Sequence, residues 1–330
     1  MTNNNTSIRE SEFKLFHLVI IGIFIVSLAI RIYGANSIYF TDEEAKVILS
    51  LSKIKASGSV NLFYGLVVRI MQFMGVNSIL GMRLVNVLMG SLISIFPALF
   101  YKEIGKRTAI IASIILTFDP FGIANSIVFT GNMATLLLLG LILNAILHDR
   151  ENIIPLATLF FVCHGRGLGF FVLFALLLLI FLFFLKRKLF TNLIKIIKDS
   201  FSQKINFTAA SSAIALVLIL AIVFKIPFSY IATDISRFIS GWGTNYQTGN
   251  YPIVYIFAII SSIPFALITT LVFFLKRPRD KSDIKGLSFL WLIFTLLNIM
   301  FYPKHLLIDI IWISLPLCIM TAIIIEEFIS

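Results

Sequence analysis

Acidic residues are scarce in this chain of 330 residues, with 16 Asp and Glu against 27 Lys and Arg. Charge of both signs together reaches only 13%, where a soluble domain carries about 25%. A soluble globule with 59% hydrophobic residues could not shield its apolar surface from water. Cysteine is nearly absent. Cys163 and Cys318 both lie inside apolar runs, which excludes a disulfide framework and makes them small core residues. Histidine numbers four, and no third ligand stands at recognisable spacing from His164 or His305, so neither is read as a metal ligand. No A-x-A-like cleavage site follows the first apolar run, about 15–32, which is therefore expected to be a retained span. No aromatic stacking platform or groove-reading motif accompanies the basic residues, which argues against nucleic-acid binding.

What the chain does have is apolar runs of roughly 20 residues, each able to cross a bilayer core of about 30 Å. Mean hydropathy is +0.99. The expected fold is an all-α polytopic membrane protein, a single transmembrane domain over 1–330 with no soluble C-terminal domain. Hydropathy places ten crossings at about 15–33, 83–101, 108–125, 128–147, 153–165, 168–185, 208–225, 252–275, 286–302 and 306–325. His164-Gly165-Arg166-Gly167 interrupts the region 153–185, so a re-entrant or broken helix is an alternative there.

Charge then orients the spans. The N-terminal tail and the connections at 102–107, 148–152, 186–207 and 276–285 hold 17 Lys and Arg, against 7 on the other side. The positive-inside rule makes the richer side cytoplasmic, with both termini inside and the 34–82 loop outside. The stretch with Lys186, Arg187, Lys188, Lys195, Lys198 and Lys204 is expected to form a basic cytoplasmic segment, 186–207, lying on anionic headgroups.

The external loop contains the densest acid in the chain, "YFTDEEAKV" at 39–47. Thr41 and Glu44 have the spacing of a capping box, and Asp42 and Glu43 would complement the dipole of a helix over about 42–56. The stretch "NLFYGLVVRIMQFMG" at 61–75 predicts a second helix at the membrane interface.

The order of elements resembles the C-type glycosyltransferase superfamily, whose members include protein O-mannosyltransferases and lipid A aminoarabinose transferases. Those proteins have a first span, an external loop with an acidic pair near its start, and juxtamembrane helices with an aromatic element. An Arg then opens the second span, a basic turn follows, and a "P-F" element closes the third. Here the matching residues are Asp42-Glu43, Leu62-Phe63-Tyr64, Arg83, the turn from Lys102 to Arg107, and Pro120-Phe121. "FYPKHLLIDIIWISLPL" at 301–317 is similar to the family's late external turn. The match runs through about the first 150 residues and resumes after 285.

The resemblance implies transfer of a sugar from a polyprenyl-phosphate carrier to a protein, lipid or glycan acceptor on the extracytoplasmic face, with inversion. It gives the general-base role to Asp42, with Glu43 orienting the acceptor or helping a cation. Cations for the leaving phosphate are Arg83, Arg166, Lys304 and His305. For Arg83 and Lys304 the alternative is snorkelling to headgroups, and for Arg166 it is simple helix breaking by its flanking glycines. In the loop "DISRFISGWGTNYQTGNYP" at 234–252, Arg237 together with Trp242 and Tyr246 would contact sugar or acceptor, or the two aromatics would form an interfacial belt. Many relatives carry a second acid near the position held here by Asn132, and Asp119 is the only acid close by. No cofactor is assigned, and metal-independent chemistry or a weak divalent-cation site is expected. The competing classes are a non-catalytic subunit on the same fold and a lipid or sugar transporter, which would favour inverted repeats.

Overall fold

The computed structural model describes residues 3–39, 44, 62–76, 78–128, 132–148, 150, 152–162, 168–202, 204–223, 252–262, 272, 283–301 and 310–329. Every described element is helical. In chain order the helices are α1 (Asn3–Ser37), α2 (Leu62–Phe73), α3 (Ile79–Ser94), a 3₁₀ turn (Phe96–Phe100), α4 (Tyr101–Ile104), α5 (Lys106–Phe118) and α6 (Pro120–Ile127). There follow α7 (Asn132–Leu147), α8 (Ile153–Val162), α9 (Leu168–Leu185), α10 (Arg187–Ser202), α11 (Lys204–Val223), α12 (Pro252–Ser262), α13 (Asp283–Phe301) and α14 (Ile311–Ile329).

The chain is thus an all-α protein with apolar helices suited to a membrane. Two described helices are long and apolar enough to cross one, Phe13–Ser37 and Ile311–Ile329, or four if each of two bent pairs is one span. The ten crossings expected from hydropathy are not found among the described residues. Length is the reason in α7, which is uniformly apolar but has 16 residues, and at 1.5 Å per residue rises only about 24 Å.

α14 forms the centre. Its residues from Ile311 to Ile324 are buried, and it packs on α5, α13 and α6. α1 lies at the periphery against α3, α5 and α6, and turns Leu15, Leu18, Ile21 and Ile25 outward, as a helix facing lipid would. α3 is the other organising element, in contact with α1, α5, α6 and α7.

Two bends interrupt the expected spans. The pair α3 and 3₁₀ turn plus α4 is bent by 41° at Ile95, just before Pro97, and the pair α5 and α6 by 57° at Asp119-Pro120. Proline explains the second. Pro120 donates no amide hydrogen, and its ring forces Asp119 out of the helical region, to φ −62° and ψ 118°. What hydropathy reads as one crossing at 108–125 is therefore two half-helices.

At one end of the bundle the α4–α5 turn, the end of α7 and the end of α14 meet. His148 pairs with Glu103 at 3.0 Å, and Thr108 donates to Glu326. The basic helix α10 lies against α7, α8, α9 and α11. It buries Leu193 and Ile196 and exposes Arg187, Lys188, Lys195 and Lys198. The helix expected at 61–75 is present as α2, whereas that expected at 42–56 lies outside the described residues except for Glu44.

Candidate functional site

Polar residues inside an apolar helix are costly unless they find partners, so where they line up is informative. α3 carries Arg83, Asn86, Gly90 and Ser94 at helical spacing on one face. Ser78 starts the helix by accepting from the Gly81 amide at 3.1 Å.

Arg83 stands in the second turn of α3 and is 1% exposed. Its Nε donates to Glu44 Oε1 at 2.7 Å and its Nη2 to Glu44 Oε2 at 2.6 Å, a two-pronged charge-assisted pair. Nη1 donates to the carbonyls of Ala35 at 2.7 Å and Ile38 at 2.8 Å, and Nη2 to that of Tyr39 at 3.1 Å. All five N–H groups of the guanidinium are therefore engaged. The three carbonyls belong to the last turn of α1 and the residues just after it, where helical carbonyls lack partners. Arg83 thus closes α1 and fixes Glu44, the residue that follows Asp42-Glu43 in sequence.

One turn further on, Asn86 performs the same service for α6. Its Nδ2 donates to the carbonyls of Asn125 and Val128, both at 2.6 Å, and more weakly to that of Ser126 at 3.3 Å. Asn132, which opens α7, donates from Nδ2 to Asn125 Oδ1 at 3.2 Å.

About 10 Å along the α3 axis from Arg83, at Gly90, lies the break between α5 and α6. Arg31 of α1, 1% exposed, donates from Nη1 to Ser27 Oγ at 2.5 Å. Longer bonds run from Nη1 to the carbonyls of Ser27 and Thr117, and from Nη2 to that of Leu116, each at 3.4 Å. Asp119 is 3% exposed. Its Oδ2 accepts from the Gly122 amide at 2.7 Å, and its Oδ1 from Ser314 Oγ of α14 at 3.2 Å. A Cβ added to Gly122 would stand 2.9 Å from Asp119 Oδ2 and 3.5 Å from Arg31 Nη2, so the two charges flank this one glycine.

The arrangement closes the end of α1, holds Glu44 and satisfies a broken span. Of the candidate residues taken from the sequence, Arg83 is described, and its N–H groups are spent on Glu44 and three carbonyls. A phosphate could take them only by exchange. Glu44, which spacing assigned to a cap, holds Arg83. Asp42, Glu43, Arg166, Arg237, Trp242, Tyr246, Lys304 and His305 lie outside the described residues.

Sequence reasoning passed over Arg31, Asn86 and Asn125. The available signal was the 3–4 spacing of polar residues within apolar runs. No group of three or more His, Cys, Asp or Glu suited to a metal is found among the described residues. A small apolar cleft of about 20 Å³, lined by Phe96, Phe100, Leu143, Leu147, Trp291 and Ile319 among others, lies toward the opposite end of α3 and carries no ionisable group.

In comparisons with known proteins, no family model matches the chain, and neither does any curated protein or solved structure.

Proposed function

We propose that the protein is a multi-pass membrane glycosyltransferase. It moves a sugar from a polyprenyl-phosphate carrier to an acceptor on the extracytoplasmic face, with both termini cytoplasmic. The observation that supports this reading is the anchoring of Glu44 by Arg83. A buried ion pair costs desolvation and gives little net stability, so its value lies in fixing where Glu44 stands. Asp42, two residues before this anchor, takes the acceptor's proton as it attacks the anomeric carbon. Such general-base help is worth about 10²–10⁴-fold. Arg83 acts as a positioning residue, and the cations for the departing lipid phosphate are Arg166, Lys304 and His305. Arg237, Trp242 and Tyr246 contact the sugar or the acceptor.

The test is transfer of radiolabelled sugar from a panel of polyprenyl-phosphate sugars in proteoliposomes, comparing wild type with Asp42→Asn. A folded Asp42→Asn protein should lose about 100-fold or more in rate. Unchanged transfer in that variant would remove Asp42 from the mechanism.

A second reading, a non-catalytic subunit on the same fold, is favoured by the saturation of Arg83. It expects no transfer from any donor when the acceptor is present.

A further inference from the structure

The break between α5 and α6 does not belong to the proposed transfer chemistry, yet it holds a buried cation and a buried acid. Breaking a helix inside a membrane strands carbonyls at the end of the first half and amides at the start of the second. The stranded carbonyl end carries partial negative charge and the amide end partial positive charge. In discontinuous helices of transporters, such carbonyl ends take a free monovalent ion.

Here the same ingredients are present. The carbonyls of Leu116 and Thr117 and the carbonyl and hydroxyl of Ser27 line one position, and the Asp119 carboxylate stands across Gly122 from it. That position is filled by the Arg31 guanidinium. It enters from a different helix, α1, and lies 85 and 86 residues away in sequence from the two carbonyls it serves. Asp119 meanwhile caps the amide end through Gly122, so each charge sits at the helix end of opposite sign.

The surroundings are shaped around the guanidinium. Gly90 of α3 passes so close that a Cβ there would stand 3.2 Å from Arg31 Nε and would collide with Ser126. Nε itself faces that glycine and makes no hydrogen bond among the described residues.

We propose that the α5–α6 break is a monovalent-cation site whose ligand is the protein's own Arg31 guanidinium, so that no free ion enters it. The inference is independent of the transfer reaction. It also takes this one site out of any ion-coupled transport, since a tethered cation cannot cross.

The experiment follows thermal unfolding of purified full-length protein in detergent micelles. Arg31→Ala should unfold several degrees below wild type. Millimolar methylguanidinium chloride should recover part of that loss, and tetramethylammonium chloride at equal ionic strength should not. Neither salt should shift wild type or the Arg31→Ala/Asp119→Asn double variant. Equal effects of the two salts on Arg31→Ala would overturn the proposal.

If Arg31→Ala does not fold, Arg31→Lys and Arg31→Met replace it. The lysine variant, with a shorter tethered cation, should fold and the neutral one should be lost, and equal behaviour overturns the idea. Wild type should also unfold at the same temperature in sodium, potassium and N-methylglucamine chloride. A sodium-specific stabilisation abolished by Asp119→Asn would mean that a free ion does bind.

Discussion

Arg83 and Glu44 meet through two parallel hydrogen bonds, 39 residues apart in sequence and almost wholly removed from solvent. The pair ties the start of α3 to Glu44, seven residues beyond the end of α1. Removing one partner leaves the other charge buried and alone, so Glu44→Gln and Arg83→Met should each destabilise the protein by about 3–5 kcal/mol. The double variant should lose less than the sum of the two. Chemical denaturation in micelles measures all three, and additive losses would mean that the pair is not coupled.

Asn86 closes α6 by serving three carbonyls with one amide group. Asn86→Ala strands those carbonyls at a cost of about 1–3 kcal/mol. The loss should be local. Amide hydrogen exchange should rise in 120–128 before it rises in α14, and uniform acceleration would contradict the assignment.

Gly140 on α7 lies directly under the ring of Phe96, where an added Cβ would overlap the ring carbons. Phe96 is only 2% exposed, so its ring can yield only into the small cleft it lines. Gly140→Ala should therefore cost about 1–3 kcal/mol through overpacking, despite the better helix propensity of alanine. Combining it with Phe96→Leu should return part of the loss. A stabilised Gly140→Ala protein would show that the two helices can separate freely.

The basic helix α10 faces the cytoplasm under the proposed topology. With Cys163 and Cys318 replaced by serine, a cysteine at Lys195 should react with a membrane-impermeant maleimide only after the inner side is opened. A cysteine at Asn61, in the 34–82 loop, should react in intact cells. The reverse pattern would invert the protein and move Asp42 to the wrong face for an extracytoplasmic acceptor.

Much of the architecture was legible because membrane helices announce themselves by composition. The first long apolar helix, the short helix at 61–75 and the basic helix after residue 185 are all present as helices over about the residues that the sequence assigns them. The bends were harder to see. Hydropathy averages over a window, so it merges α5 and α6 into one run, although Pro120 and the preceding Asp119 mark the break. Arg31 was hidden differently, at the edge of a span where an arginine normally reaches for headgroups. Its role depends on carbonyls contributed by Leu116 and Thr117, and no local pattern links residues so far apart. Glu44 shows the same limit. Spacing to Thr41 suits a cap, and nothing local announces the bond to Arg83, 39 residues downstream.

Arg31 also sets a condition on how the protein is made. Leu116 emerges from the ribosome 85 residues after it, which at ordinary elongation rates is a delay on the order of ten seconds. Throughout that interval Arg31 has only Ser27 of its own helix to bond, and its partners on α5 do not yet exist. The first helix must wait with Arg31 held at the membrane surface or inside the insertion machinery, and settle to its final depth only when α5 arrives. α1, made well before α5, is thus seated only once α5 has arrived.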